Sequence, residues 1–262
     1  MLMKPTKKEA LGLYFTPRVK SFHVVVRLKD VPGSLSSVLG LLRDRVNLVG
    51  SISYSLENEG AIWSGFGTSL SKGETEGKLK KSLERLPLVL ECEVKGSDNG
   101  LLIDSFHSGL EVAPDRPAVV LPIVGVSRIY DHLARILGSG GETLLFEEGS
   151  ALGKSSGQYL NTKLGQDRLD WKVEALLGTY RVIGWGVASV KVEKPRTRYR
   201  VSIHDCMECA GMGKDRKGCN LVRGCLTGAV STLSNDKFNC EETKCRFRGD
   251  PFCEFLLSKE EA

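Results

Sequence analysis

No stretch of this sequence is long and apolar enough to cross a bilayer. The longest run, AVVLPIVGV at 118–126, falls short of the roughly 20 residues a spanning helix needs and contains Pro122. The opening residues, MLMKPTKKEALGLYF, are basic but have no apolar core of the kind a secretion signal carries. The expectation is a cytoplasmic protein without membrane partners. A glycine fingerprint of the GxGxxG type is also missing, which removes the usual cradle for a nicotinamide or flavin dinucleotide. The nearest approach to a phosphate loop, GSALGKSSG from Gly149, leaves three residues before the Gly153-Lys154 pair where that loop requires four. Its glycines, Gly149, Gly153 and Gly157, recur at every fourth position and suit a helix, starting near Ser150, that packs closely against another backbone. The basic run KPRTRYR at 194–200 has no recognition helix beside it, so it reads as a solvated edge or turn and nucleic acid is not an expected partner.

What remains is ordinary for a globular protein. Of 262 residues, 41% are hydrophobic and 26% charged, with a net charge of +5. This length suits two domains better than one. Cysteine is uneven: seven of the eight lie between 206 and 253, with Cys92 alone outside. In a reducing compartment such clustering points to metal or redox chemistry rather than disulfides.

The periodicities divide the chain. After an extension at 1–20, Phe22, Val24, Val26 and Leu28 alternate as a strand, and Leu35, Val38, Leu39 and Leu42 repeat as a helix. Ile52, Tyr54 and Leu56, turn residues at 57–60, and a strand through Trp63 and Phe66 read as a hairpin. Leu79, Leu83 and Leu86 give a second helix, and Leu90, Cys92 and Val94 a fourth strand. The resulting βαββαβ order is the ferredoxin-like split unit of an α+β domain spanning 21–96. Between its first strand and helix lies KDVPGSL. Through Asp30, Pro32, Gly33, Leu35 and Asn47 this segment resembles an ACT domain, a regulatory module. The resemblance implies a binding turn at Asp30, Pro32, Gly33 and Leu35 for an amino acid. Independently, a tight Pro-Gly turn before a helix leaves backbone N–H groups that can receive a carboxylate.

A polar stretch at 96–100 marks a boundary, and a second domain is expected over 100–258. Ile129, Tyr130, Leu133, Ile136 and Leu137 predict a helix ending at GSGG, TLLF at 143–146 a short buried strand, and Leu169, Val173, Leu176 and Leu177 another helix. Strands are expected through Tyr180–Val192 and Tyr199–Ile203. Trp171 and Trp185 fall here as core or pocket aromatics. The end of the chain predicts a helix with Cys219 at its N-terminus and Val222, Leu226, Ala229, Val230 and Leu233 as its stripe. A hairpin turning at Gly249, Asp250 and Pro251 follows.

Glu242, Cys245 and Cys253 would be brought together by that hairpin, and Cys219 could complete a tetrahedron from the helix; Cys225 and Cys240 remain open as alternatives. Cys206 and Cys209 form a separate CxxC, read as structural first and metal-binding second. The residues RGCLTG, then ETKCRFRGDPFC, then EF closely resemble the end of the 4-vinyl reductase (V-four-R) domain family. That family is related to sensor domains of aromatic-responsive transcription activators and to a vesicle-tethering subunit. The resemblance implies a mixed α/β sensor-type domain, dimeric, with an apolar pocket for a small apolar or aromatic molecule. It also implies a structural zinc on Cys219, Glu242, Cys245 and Cys253. A closed shell of four protein donors leaves no place for a reacting water, so a non-catalytic regulator is the leading expectation. The family's name implies one alternative, an oxidoreductase or accessory factor in vinyl-group reduction of a tetrapyrrole. Its tethering relatives imply another, a dimeric interaction scaffold.

Overall fold

The computed structural model describes residues 12–16, 19–56, 59–165, 168–210 and 218–261. The chain divides into two compact units, 1–110 and 111–262. Most of the extension read at 1–20, and Glu57 and Asn58 of the expected turn, lie outside the described residues.

The first unit runs β1 (Leu13–Phe15), β2 (Ser21–Leu28), α1 (Ser34–Leu42), β3 (Val46–Leu56), β4 (Gly60–Ser69), α2 (Glu76–Glu84), β5 (Val89–Ser97) and β6 (Leu101–Ile103). Strands β2 to β5 form one antiparallel sheet in the order β3-β4-β2-β5, and β1 pairs with β6. Alternation along β2 turns Phe22, Val24, Val26 and Leu28 to one face, where they pack with Val38 and Leu42 of α1 and Leu79 and Leu83 of α2. Each such side chain contributes about 1.5–3 kcal/mol by leaving water. α2 starts where Thr75 caps it, its hydroxyl accepting from the Lys78 N–H.

On the other face of β2, His23 is buried, stacked on Phe66 with ring centres 4.2 Å apart, and its Nε2 lies 2.9 Å from the Ser64 hydroxyl. Burial pushes the His23 pKa below the ordinary histidine value, against the opposing pull of Asp104. The unfolded chain therefore binds more protons once the pH drops below about 6.5, so stability is full above that pH and is lost as the pH falls. The urea midpoint of β2 amide signals is expected to be lower at pH 5.5 than at 7.5. In His23→Phe that difference should shrink, and an unchanged difference would show that another group titrates.

A hairpin of β7 (Leu110–Ala113) and β8 (Arg116–Ala118) precedes α3 (Ile123–Leu137), α4 (Ser139–Leu164), α5 (Leu169–Val182), β9 (Val187–Lys194), β10 (Arg198–His204), α6 (Asn220–Ser234), β11 (Phe238–Lys244) and β12 (Cys253–Lys259). The second unit's sheet is antiparallel in the order β11-β12-β10-β9. Tyr199, Val201 and Ile203 of β10 and Cys253, Phe255 and Leu257 of β12 share a core with Val173, Leu176 and Leu177 of α5 and Val222, Leu226 and Val230 of α6. The basic run is answered within the unit, because Arg198 and Arg200 reach Glu193 at 3.1 and 2.6 Å and Arg200 reaches Glu254 at 3.1 Å.

Three expectations need correction. TLLF is not a strand but lies inside α4, which begins at Ser139 rather than near Ser150. Within it Leu145 is buried and Leu144 exposed, as a helix rather than a buried strand requires. The strand expected from Tyr180 starts only at Val187, since α5 continues to Val182 and buries Tyr180 on its inner face.

GSALGKSSG lies wholly within α4, and its glycines meet backbone. A Cβ on Gly149 would strike the Leu221 carbonyl of α6 and one on Gly153 the Cys225 carbonyl, while Gly224 and Gly228 of α6 approach Phe146 and Ser150 of α4 as closely. The two helices therefore meet along a seam almost free of side chains. Among the described residues no helix is long and apolar enough to cross a membrane.

Candidate metal centre

Local rules bring the cysteines of the second unit together. Cys219 is the N-cap of α6, and Cys253 opens β12. In β11, Phe238 and Cys240 point inward, but the register shifts between Glu242 and Lys244. Such a bulge moves the alternation by one residue, and Cys245, odd-numbered, turns inward and is fully buried. The loop to β12 is held by Asp250, whose carboxylate accepts the Cys245 N–H at 2.8 Å, and by Gly249 at a φ of 94°.

The ligand atoms of Cys219, Glu242, Cys245 and Cys253 all lie within 4.8 Å of one another. The Cys219 sulfur is 3.9 Å from that of Cys245 and 3.7 Å from that of Cys253. With metal–sulfur bonds of about 2.3 Å, sulfurs on one tetrahedral ion stand roughly 3.8 Å apart, so the spacing fits zinc. The Glu242 carboxylate also accepts the Cys219 N–H, at 3.2 and 3.3 Å to its two oxygens. Burial raises the Glu242 pKa, while its hydrogen bonds with Cys245 and Cys219 work the other way. Gly218 leaves space for this carboxylate, since a Cβ there would collide with Oε2.

Cys206 and Cys209, set apart in the sequence, stand beside these donors. Cys209 Sγ lies 3.2 Å from Cys219, 3.5 Å from Cys253 and 4.0 Å from Cys245, and Cys206 Sγ lies 3.8 Å from Cys219. The pair sits on a 3-10 turn, Met207–Cys209, in which the Cys209 N–H donates to the Cys206 carbonyl at 3.0 Å. Between them Glu208 is fully buried and accepts the Leu221 and Val222 N–H groups at 3.3 and 3.0 Å. A carboxylate at a helix N-terminus satisfies orphan donors and the helix dipole together. The crowded sulfurs polarise one another: hydrogen bonds from Cys206, Cys209, Cys219 and Cys245 hold Cys253 well below the usual thiol range. Cys209 and Cys219 are held above that range, chiefly by Cys206. The CxxC spacing is the sequence signal for this pair, but only the fold supplies its neighbours.

Cys225 and Cys240 belong to neither of the donor groups found among the described residues. Burial pushes their thiols up to about 11 and about 12. Cys225 instead lines the helix seam, its backbone against Gly149 and Gly153. Trp185 packs on the core, edge-on to Tyr180 at 5.3 Å, whereas Trp171 is exposed.

In the first unit, Asp30, Pro32 and Gly33 are exposed and Leu35 is half-buried. Gly33, at a φ of 92°, is the N-cap of α1 and supplies no side-chain cap, and the neighbouring Ser34 hydroxyl is buried without a hydrogen-bond partner.

Parts of the chain are similar to known proteins. Two curated proteins of Methanocaldococcus jannaschii are among them: uncharacterized protein MJ1642, 27% identical over 50% of this chain and 74% of its own length, and uncharacterized protein MJ0150, 24% identical over 47% and 68%. Among solved structures, the phenol-responsive sensory domain of the transcription activator PoxR with phenol aligns with a TM-score of 0.49 and 17% identity. That alignment covers 55% of this chain and 77% of the other. A trafficking protein particle complex subunit 3 from Naegleria fowleri, covalently bound to palmitic acid, gives 0.40 at 17% identity over 53% and 95%. A vinyl-4-reductase family protein from Methanocaldococcus jannaschii gives 0.37 at 16% identity over 55% and 85%. The V-four-R domain model matches residues 199–259, so the segment that carries β10, α6 and the terminal cysteine hairpin is a V-four-R domain.

Proposed function

We propose that this chain is a non-catalytic regulatory protein: its second unit binds a small, largely apolar or aromatic molecule, and a structural zinc ion fixes that unit's terminal hairpin. The observation that carries the reading is the convergence of Cys219, Glu242, Cys245 and Cys253, from one helix and both arms of one hairpin, within a V-four-R domain. Four protein donors complete a tetrahedron, so the ion they hold has no position for an activated water and serves the fold. Zinc suits the set because it takes thiolates readily and accepts a carboxylate oxygen.

The first unit is an ACT-like regulatory module in this reading. Its βαββαβ order supports that, as does the uncapped start of α1 behind Asp30, Pro32 and Gly33. The free N–H groups of a first helical turn can receive the carboxylate of an amino acid. Self-association as a homodimer is supported by α3, which exposes Val124, Ile129, Ile136 and Leu137.

The test is a titration of the purified full chain with phenol, toluene, indole and benzoate, with thermal unfolding as the readout, beside mass spectrometry of any molecule released on denaturation. A ligand at 100 times its dissociation constant adds about 2.7 kcal/mol and a visible rise in midpoint. No shift with any of the four probes, together with no released molecule, would reject ligand binding by this unit.

A further inference from the structure

The reading above uses four donors and leaves two buried thiols beside them. Cys206, Cys209, Cys219 and Cys253 form a second group of four whose ligand atoms all lie within 4.8 Å of one another, and it shares Cys219 and Cys253 with the first. We propose that Cys206 and Cys209 hold a second thiophilic divalent cation beside the first, with the sulfurs of Cys219 and Cys253 bridging the two ions. This rests on the metal reading of Cys219, Glu242, Cys245 and Cys253.

Donor arithmetic favours two ions. A tetrahedral ion takes four donors, and two tetrahedra that share an edge take six, the number that converges here. The shared edge is the Cys219–Cys253 pair, 3.7 Å apart. A thiolate sulfur has lone pairs for two metals, whereas Cys206 and Cys209 on one side and Glu242 and Cys245 on the other serve as terminal ligands.

Charge points the same way. Three thiolates and a carboxylate around one dication leave a net charge of −2. A second dication adds +2 and is met by the thiolates of Cys206 and Cys209, whose two protons pass to solvent. The buried centre thus gains an ion and two ligands without any change in net charge, which removes the main cost of burying more charge.

The second pair is also built for the task. The 3-10 turn aims both sulfurs to one side, and Glu208 ties that turn to the first turn of α6, directly beside Cys219. A redox role suits the pair less well, because thiol–disulfide exchange needs access and the two residues are 0% and 2% exposed. Cys209 and Cys245, at 4.0 Å, are at the spacing of one tetrahedron. Terminal ligands of separate ions stand farther apart, so filling both positions requires these two to separate.

The experiment counts metal in the full chain, purified without chelator and then reloaded with zinc and with cadmium-113. Native mass spectrometry is expected to give two ions per chain, and cadmium NMR two resonances coupled through the bridging sulfurs. The Cys206→Ser, Cys209→Ser double variant should keep its fold and fall to one ion and one uncoupled resonance. One ion in the wild-type chain, retained by the double variant, overturns the second site and leaves the first intact. One ion that the double variant loses overturns the pair of ions in favour of a single site that includes Cys209. No ion in either protein overturns the metal reading from which the proposal starts.

Discussion

Cys253→Ser is expected to leave residues 111–262 without a cooperative unfolding transition. The sulfur of Cys253 stands within 3.7 Å of both Cys219 and Cys209 and opens the strand that lies between β10 and β11. Structural zinc in small thiolate sites supplies on the order of 10 kcal/mol of folding free energy, as much as a whole domain's net stability. Without the ion, the crowded thiols of Cys209, Cys219 and Cys245 have lost the charge that gathers them. Circular dichroism and thermal melts should show the loss, and a strong chelator should bring the wild-type chain to the same state. A serine variant that melts like the wild type, with no further response to chelator, would show that the ion contributes nothing to this fold.

Gly153→Ala should destabilise the second unit by about 2 kcal/mol or more, although helix propensity alone favours alanine by about 1 kcal/mol. Packing wins because the new methyl meets the Cys225 carbonyl and the Ala229 backbone nitrogen of α6, not a mobile side chain. Relief requires the helices to part, which uncovers the contacts on either side. Gly178→Ala is the control: it sits in α5, exposed, with nothing within 4 Å of an added Cβ. There the propensity gain of up to about 1 kcal/mol should appear as added stability. Urea midpoints of the two variants should therefore move in opposite directions, and a stabilised Gly153→Ala would refute the backbone seam.

Elements whose buried face is made of large side chains are legible from the sequence. Strand β2 and helices α1, α5 and α6 each carry a clean apolar stripe, and each forms close to where its stripe predicts. Helix α4 reads as a strand followed by a later helix because its buried face is largely Gly141, Gly149, Gly153 and Gly157, which add nothing to an apolar stripe. Within the cluster, Cys219, Glu242, Cys245 and Cys253 belong to one terminal motif and do lie together. Cys209 is 36 and 44 residues from Cys245 and Cys253. What brings it there is the pairing of β10 with β12, which sets Ile203 opposite Cys253 just before the CxxC turn. Non-local strand register of that kind leaves no trace in spacing along the chain.

The seam between α4 and α6 also governs how the second unit can move. Side chains ordinarily absorb small displacements by changing rotamer, but here Gly149 and Gly153 rest on the carbonyls of Leu221 and Cys225. Two rods so joined behave as one stiff lever. A tug on the first turn of α6, where Cys219 and the partner amides of Glu208 sit, is delivered along the full length of α4 with little slack.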